Sequence, residues 1–228
     1  AGKPVVIKPK STNFGLGITI LKHNYDETDF KAALQIAFEH DNTVLIEKFI
    51  PGREFRIFII NDEVVGILHR VPANVTGDGV LNIGQLIDRK NEDPLRGKGY
   101  RTPLEKIRKG REEEMFLKQQ GMDFNTVPKE GEVVYLRENS NISTGGDSID
   151  FTDDIDDSYK AIAVEAAKAL NVKITGLDMM IQDIHAPATP DNYAIIEMNF
   201  NPAIHIHCYP FKGKNRHLNH KMIRALGF

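Results

Sequence analysis

The stretch Tyr193-Ala194-Ile195-Ile196-Glu197-Met198-Asn199 is apolar apart from a carboxylate and an amide near its end. Alternation along a β-strand places Glu197 and Asn199 on the same face. A second apolar stretch, Gly176-Leu177-Asp178-Met179-Met180-Ile181, carries one carboxylate. Carboxylates in such strands need a counter-charge. A Mg²⁺ ion bound to phosphates can supply it, and so can an Arg or Lys in a structural ion pair; the residues leave both alternatives open.

Working outward from these two stretches, short strands and helices alternate irregularly and hairpins are common. Apolar and β-branched runs predict strands at 5–8, 18–21, 43–49, 54–60, 64–70, 133–137, 174–181 and 193–199. Helical spacing of apolar residues predicts a helix at 28–40. Further helices are predicted at 82–89, 158–170 and 218–226, and a charged helix at 104–120. This order predicts an α+β fold with a largely antiparallel sheet. Because the chain opens directly into a strand, we expect it to be a fragment that begins inside the fold.

The composition is that of an ordinary globular protein, with 41% apolar and 27% charged residues among 228. A formal net charge of −3 leaves no excess of positive charge to hold a nucleic acid or an anionic membrane nonspecifically. No run approaches the roughly 20 apolar residues of a membrane span. The single cysteine, Cys208, cannot form an internal disulfide, which suits a reducing compartment. We therefore expect a cytoplasmic protein without nucleic-acid or membrane partners.

Lys8 ends the apolar run Val5-Val6-Ile7-Lys8 and is followed by the small, flexible stretch Ser11-Thr12-Asn13-Phe14-Gly15-Leu16-Gly17. A lysine in an apolar strand costs desolvation free energy unless its ammonium group reaches an anion or water. A phosphate covered by the adjacent glycine-rich hairpin would supply that anion. The alternative is a lysine at a strand end that simply reaches solvent.

Several familiar motifs are excluded. The chain has no P-loop, its glycine pair at 15 and 17 lacks the third glycine of a dinucleotide loop, and the glycine-rich stretch follows the lysine instead of preceding it as in protein kinases. The aspartates between 147 and 157 lack the order of an EF-hand loop and are interpreted as turn and capping residues. His205-Ile206-His207-Cys208 has no matching second ligand pair, so we interpret it as loop structure and Cys208 as no nucleophile.

These features occur in the order of the ATP-grasp ligases, which the chain resembles over nearly its whole length. The resemblance rests on Lys8, the loop at 11–17, the stretch Val44-Leu45-Ile46-Glu47-Lys48-Phe49-Ile50-Pro51-Gly52-Arg53-Glu54, Asp178, and Glu197-Met198-Asn199-Phe200-Asn201-Pro202. The stretches at 70–79, 91–97 and 136–147 are more narrowly similar to the glutathione synthetase module of bacterial bifunctional glutamate-cysteine ligase/glutathione synthetases. Cyanophycin synthetases share much of this pattern.

The resemblance implies an ATP site and a metal site. Lys8 would contact the ATP phosphates, and the loop would fold over them through Ser11, Asn13, Gly15 and Gly17. Glu47, Lys48 and Ile50 would contact the edge of the adenine, and Glu54 would accept hydrogen bonds from the ribose hydroxyls. One or two Mg²⁺ (or Mn²⁺) ions would be held by Asp178, Glu197 and Asn199.

The chain departs from the family pattern at the anion-stabilising arginine. Related ligases of the D-alanine type carry an arginine two residues before the aspartate, where this chain has Gly176. We therefore assign this catalytic role to Arg137 first and to Arg70 second. The polar loop that follows Arg137 would contact the substrates through Asn139, Ser143, Thr144 and Gly145.

The resemblance further implies an ATP-grasp fold of two α+β subdomains with largely antiparallel sheets that clamp ATP. The small lid subdomain would span residues 1–60, truncated at its N-terminus, and the large subdomain residues 61–228. The implied reaction joins γ-glutamylcysteine to glycine through an acyl phosphate, giving glutathione, ADP and phosphate. An upstream glutamate-cysteine ligase domain and a homo-oligomer are the implied partners. Two alternatives stay open: a ligase of the cyanophycin type, and a nucleotide-binding fragment without turnover.

Overall fold

The computed structural model describes residues 3–12, 16–22 and 24–228. The chain divides into two compact units, residues 1–51 and residues 52–228. Within the described part, no helix is both long and apolar enough to cross a membrane. Each unit has an apolar core of its own.

The first unit is a three-stranded antiparallel sheet with one helix. Its elements are β1 (Val5–Pro9), β2 (Thr19–Leu21), α1 (Glu27–Phe38) and β3 (Val44–Lys48), and the strand order is β2-β1-β3. The helix begins at a capping box in which Asp26 accepts from the backbone of Asp29 while the Asp29 side chain accepts from Asp26. Ile7 of β1 is fully buried against helix residues Ala33 and Ala37. The predicted hairpin of residues 5–8 and 18–21 is confirmed by the β1–β2 pairing.

The second unit is built on a five-stranded sheet in which all neighbours are antiparallel. The strand order is β10-β5-β4-β11-β12, formed by β4 (Arg53–Ile60), β5 (Glu63–Val71), β10 (Asp147–Asp150), β11 (Ile174–Ile181) and β12 (Tyr193–Asn199). A tight turn joins β4 to β5, since Asn61 and Asp62 both adopt positive φ angles. The predicted α+β class with a largely antiparallel sheet is confirmed.

One face of this sheet carries the main apolar core. Phe55, Ile57 and Ile59 of β4 are fully buried there together with Leu177, Met179 and Ile181 of β11. The helix α4 (Asp157–Ala169) covers this face through Tyr159, Ala163 and Ala167. Because side chains alternate along a strand, the residues between these positions point to the opposite face. That opposite face is the one that carries the charged residues described below.

The remaining elements fall into two groups. One group packs around a second apolar cluster, and the other covers one end of the sheet. They are β6 (Asn74–Thr76), α2 (Ile83–Lys90), β7 (Arg96–Gly97), β8 (Leu104–Glu105), α3 (Arg111–Gln119), β9 (Val133–Tyr135), α5 (His205–Cys208) and α6 (Leu218–Ala225). The second cluster packs α2, α3 and the β6–β9 pair together through Ile83, Ile87, Leu117 and Val134. Cys208 and Leu218 pack on Phe58, which places α5 and α6 over one end of the polar face.

Three of the sequence predictions differ from the structure. The predicted helix at 104–120 is wrong in its first part, because Leu104 and Ile107 are buried and the backbone of this segment pairs with residues 95–97. Tertiary pairing thus overrides the helical pattern there, and the helix begins only at Arg111. The segment 205–208, interpreted as loop, forms the short helix α5. Residues 53–60, placed with the small subdomain from the sequence, form the strand β4 of the second unit.

Candidate active site

The polar face of the large sheet brings charged groups from three adjacent strands into one row. The register pairs Arg56 of β4 with Asp178 of β11, and Asp178 in turn with Glu197 of β12. Asn199 lies two residues beyond Glu197 and therefore on the same face of β12. The predicted grouping of Asp178, Glu197 and Asn199 on adjacent strands thus agrees with the register, while their role as metal ligands stays a prediction.

Asp178 is a buried carboxylate held by two guanidinium groups. Only 2% of the residue is exposed. Arg56 donates from Nε to Oδ1 and from Nη2 to Oδ2 at 2.8 Å, and Arg70 donates from Nη2 to Oδ2 at 2.9 Å. Burial acts to raise the pKa of Asp178, but the hydrogen bonds from Arg56 and the positive charges of Arg70 and Arg56 outweigh it, so the pKa lies below its ordinary value of 3.8. Asp178 is therefore ionised at neutral pH.

A divalent cation fits the oxygen ligands of this face, but Asp178 has only one acceptor position left for it. An ionised carboxylate offers about four acceptor positions, and the two arginines fill three of those on Asp178, leaving one on Oδ1. Glu197 is exposed, and its Oε1 accepts from Asn199 Nδ2 at 3.1 Å. Carboxylate and amide oxygens are the ligands that Mg²⁺ prefers. The set therefore fits a metal ion bound mainly by Glu197 and Asn199, with a single bond available from Asp178.

Metal binding elsewhere in the described residues finds no support. No cluster of three or more His, Cys, Asp or Glu side chains that could hold a metal occurs among them. His207 is fully buried, and burial followed by the positive charge of Arg56 lowers the pKa of its imidazole to about 3. Cys208 is buried as well. The buried positions of both residues and the lowered pKa of His207 agree with their interpretation as structure rather than chemistry.

Arg56 is the residue that the sequence analysis missed. Its side chain lies over Gly176: a Cβ added to that glycine would come within 3.0 Å of Arg56 Cδ and 2.7 Å of Pro202 Cβ. Arg56 thus fills the space beside position 176, at which the resemblance to the D-alanine type of ligase implies an arginine. The available signal was a lone arginine inside the apolar strand sequence of residues 54–60, which requires a counter-charge just as Asp178 does.

Arg70 and Glu54 extend the row toward a loop. Arg70 forms an ion pair with Glu54, and Glu54 Oε2 also accepts from Ser140 Oγ at 2.6 Å. The structure therefore brings Arg70, the second choice for the catalytic arginine, to the carboxylate cluster. Glu54, predicted to bind the ribose, is engaged by Arg70 and Ser140, and its role toward a nucleotide stays a prediction.

Arg137, the first choice for the catalytic arginine, has different partners. Its guanidinium forms ion pairs with Glu112 and with the buried Glu113 of α3. These contacts hold the start of the loop at residues 137–146 against helix α3, which belongs to the second apolar cluster. The role of Arg137 toward a substrate stays a prediction.

The loop that carries the four predicted substrate-binding residues is held by hydrogen bonds among its own residues. Asn139 Oδ1 accepts from Thr144 Oγ1 at 2.9 Å, and Ser143 lies in the 3-10 turn Ile142–Thr144. Gly145 adopts a φ of +95°, and a Cβ there would come within 2.8 Å of the Ile107 backbone. Only glycine fits this combination of conformation and contact. The loop therefore has a defined shape, and its substrate contacts stay a prediction.

The first unit contains most of the predicted nucleotide-binding residues. Lys8 Nζ forms an ion pair with Glu47 Oε2 at 2.7 Å, so its counter-charge within this unit is a carboxylate. The Ser11 backbone N–H donates to Asp41, and Gly17 adopts a φ of +75°. Lys48 ends β3, and Ile50 follows it half-buried. The remaining two residues of the predicted phosphate loop, Asn13 and Gly15, lie outside the described residues.

Comparisons with known proteins find similar sequences that cover nearly the whole chain. The family described as D-ala D-ala ligase C-terminus matches residues 1–82. The Glutathione biosynthesis bifunctional protein of Desulfotalea psychrophila is 63% identical over 227 residues, which is 100% of this chain and 29% of that protein. The protein of the same description from Clostridium perfringens is 59% identical over 222 residues, or 97% of this chain and 28% of that protein.

A solved structure extends the similarity to three dimensions. The crystal structure of a bifunctional glutathione synthetase from Pasteurella multocida matches with a TM-score of 0.75 at 48% identity, covering 98% of this chain and 31% of that chain. The chain thus spans only about 30% of the length of these relatives. The predicted fold and family resemblance are confirmed. The chain belongs to the ATP-grasp ligases, and over nearly its whole length it is similar to a part of the bifunctional glutathione biosynthesis proteins.

Proposed function

We propose that the chain is an ATP-dependent carboxylate-amine ligase that joins γ-glutamylcysteine to glycine, giving glutathione, ADP and phosphate. The observation that carries this proposal is the row of Asp178, Glu197 and Asn199 on one sheet face, with two arginines at its buried end. The chain is 63% identical to a protein described as a glutathione biosynthesis bifunctional protein, and this similarity supports the choice of substrates. The bacterial relatives and the single buried cysteine support a cytoplasmic location.

The proposed chemistry activates a carboxylate that is otherwise a poor acyl donor. The cysteine carboxylate of γ-glutamylcysteine attacks the γ-phosphorus of ATP, so an acyl phosphate forms and ADP leaves. The glycine amine then attacks the acyl carbon, the C–O bond to phosphate breaks, and the amine loses a proton. Such a reaction needs positioning and charge neutralisation more than covalent groups from the protein.

The residues of the polar face supply the charge pattern for this reaction. Arg56 and Arg70 keep Asp178 ionised, which is the form that a metal ligand requires. We assign Glu197, Asn199 and the remaining acceptor position of Asp178 to one or two Mg²⁺ or Mn²⁺ ions. When bound, such an ion neutralises the phosphate oxygens. Because Arg70 contacts this carboxylate directly, we now rank it above Arg137 as the anion-stabilising residue.

The nucleotide contacts are assigned to the first unit and to Glu54. We propose that Lys8 exchanges its Glu47 partner for an ATP phosphate, and that the loop with Ser11, Asn13, Gly15 and Gly17 covers the phosphates and excludes water. Glu47, Lys48 and Ile50 would lie along the adenine, and Glu54 would face the ribose. These roles follow the family resemblance.

The substrate side is assigned to the loop at residues 139–145 and to Arg137 before it. Asn139, Ser143, Thr144 and Gly145 would contact the peptide and the amine through the polar groups of a loop whose shape is already fixed. We keep the proposed partners as an upstream glutamate-cysteine ligase domain and a homo-oligomer. The subdomains are proposed to be a lid and a large domain, with the strand at 53–60 assigned to the large one.

ADP release tests the function. The protein is supplied with ATP and Mg²⁺ and either γ-glutamylcysteine plus glycine, or aspartate or arginine with an aspartate polymer. We expect ADP release only with γ-glutamylcysteine plus glycine. Mass spectrometry should then show glutathione in an amount equal to the ADP released. ADP with the second set would assign a cyanophycin-type ligase instead. ATP binding by calorimetry without ADP in any combination would assign a nucleotide-binding module without turnover.

Two variants accompany this assay. Asp178→Ala should abolish ADP release, because it removes a proposed metal ligand and leaves two buried guanidinium groups without their carboxylate. Cys208→Ala should retain most of the activity, because the buried thiol has no role in the proposed chemistry. Near-normal rates for the first variant would remove the metal assignment.

A further inference from the structure

A continuous line of polar contacts crosses the large sheet from a loop to the carboxylate cluster. Ser140 Oγ donates to Glu54 Oε2 at 2.6 Å, Glu54 pairs with Arg70, and Arg70 donates to Asp178 Oδ2 at 2.9 Å. Sequence position does not suggest this line, since Ser140 and Glu54 are 86 residues apart and Arg70 and Asp178 are 108 apart. The line joins the loop at 139–145 to strands β4, β5 and β11.

The charges along this line alternate and are largely withdrawn from water. The side chains of Glu54, Arg70 and Asp178 are 26%, 13% and 3% exposed. Arg70 is shared between two carboxylates, so its guanidinium takes a position set by both. If Glu54 turns away, Arg70 is left with Asp178 alone. The position of Arg70 at the metal-ligand cluster therefore depends on how Glu54 is held.

Ser140 holds Glu54 from a loop that has a fixed shape. The Asn139 side chain is bonded to Thr144, and the Thr144 and Gly146 backbone N–H groups both donate to Asn141 O at 3.2 Å. These contacts flank Ser140 on both sides, so its hydroxyl is placed by the loop as a whole. A hydroxyl that donates to a carboxylate forms a short, charge-assisted hydrogen bond, which is stronger than a neutral one.

We propose that Ser140 is a positioning residue that couples the loop at residues 139–145 to the metal-ligand cluster through Glu54 and Arg70. Displacement of the loop releases Glu54, shifts Arg70 and weakens the hold of Asp178, Glu197 and Asn199 on a divalent cation. Seating of the loop has the opposite effect, and by linkage a bound cation favours the seated loop. This proposal rests on the proposed function, because it takes the cluster to be the metal site.

Mn²⁺ binding tests the coupling without relying on turnover. The protein is saturated with a non-hydrolysable ATP analogue, and bound Mn²⁺ is measured by electron paramagnetic resonance. Ser140→Ala should weaken Mn²⁺ binding about 3- to 10-fold, within the range that residues along a coupled network produce. Ser140→Thr keeps the hydroxyl and should restore the wild-type affinity. Thr189→Ala, which removes an exposed hydroxyl from the loop between β11 and β12, should have no effect.

A double-mutant cycle separates coupling from general damage. Glu54→Ala removes the carboxylate that accepts from Ser140 and pairs with Arg70, so Ser140→Ala should add nothing further in the Glu54→Ala background. Fully additive effects would overturn the proposal. So would equal losses in Ser140→Ala and Ser140→Thr, because these would report packing of the loop rather than its hydroxyl. Thermal unfolding of each variant identifies any that fail to fold, and the Ser140→Thr comparison then decides.

The outcome is distinct from that of the proposed function. If the wild-type protein binds Mn²⁺ and the nucleotide but releases no ADP, the ligase assignment fails while the cycle still measures the coupling. If the wild-type protein makes glutathione and Ser140→Ala binds Mn²⁺ as tightly as the wild type, the coupling fails while the ligase assignment stands.

Discussion

Replacing Arg56 by methionine tests how the buried carboxylate is stabilised. Arg56 supplies two of the three arginine hydrogen bonds on Asp178, and Arg70 supplies the third. Methionine keeps the aliphatic volume next to Gly176 and removes the charge. The variant therefore leaves a 2% exposed carboxylate with one guanidinium instead of two.

The magnitude follows from the number of bonds lost. Removing one partner of a buried ion pair costs about 3–5 kcal/mol, because the other charge is left buried. The remaining Arg70 bond offsets part of this, so we expect a loss of about 2–4 kcal/mol in the free energy of unfolding. For a domain of this size, that is a drop of roughly 4–16 °C in Tm, at about 2–4 °C per kcal/mol. Arg53→Met on the same strand removes an exposed arginine and should cost under about 1 kcal/mol.

The loss should depend on pH with a definite sign. The pKa of Asp178 is depressed in the folded protein, so its ionised form stabilises the fold above the ordinary pKa of an aspartate, and this stabilisation is lost as pH falls through the folded pKa. Guanidinium unfolding followed by circular dichroism should therefore show the largest difference between wild type and Arg56→Met near pH 7, and a smaller one below about pH 4. A difference under about 1 kcal/mol at pH 7, or one that grows in acid, would refute the reasoning.

Three further changes test the site. Glu197→Gln should abolish ADP release yet leave Tm within about 1 °C, because Glu197 is exposed; normal Mg²⁺-dependent turnover would contradict the metal assignment. Lys8→Met should raise the Kd for ATP about tenfold or more by calorimetry and leave the KM for the peptide nearly unchanged; unchanged ATP affinity would place the phosphate contact elsewhere. Gly145→Ala should lower stability by about 1–3 kcal/mol in denaturant unfolding, because a φ of +95° and a 2.8 Å approach to the Ile107 backbone exclude a Cβ; a neutral result would contradict this account of the loop.

The sequence predicts those parts of the fold whose cause is local. The run at residues 5–8, the helix capped by Asp26, and the β4–β5 hairpin with its turn at residues 61–62 each carry their own pattern, and each occurs near the predicted positions. The segment before Arg111 does not adopt the structure that its local pattern predicts, because that structure depends on burial of Leu104 and Ile107 against distant elements. Local charge patterning indicates a helix there, and tertiary burial decides against it.

The same distinction applies to the candidate site. Glu197 and Asn199 are two residues apart in one strand, so their common face follows from the sequence alone. Arg56 is 122 residues from Asp178, and only the strand register brings the two together. One local signal was available: Arg56 and Asp178 are unlike charges, each inside an apolar strand, and each needs a buried partner.

The ion pair and the metal site, posed as alternatives from the sequence, are compatible in this structure. A metal ligand must be ionised in the folded protein, and burial of Asp178 alone would favour its neutral form. The two arginines reverse that preference and keep the carboxylate charged before any cation arrives. They also leave one of about four acceptor positions open, on the oxygen that Arg70 does not contact. We therefore propose that the arginines keep Asp178 charged for a cation that binds beside Glu197 and Asn199.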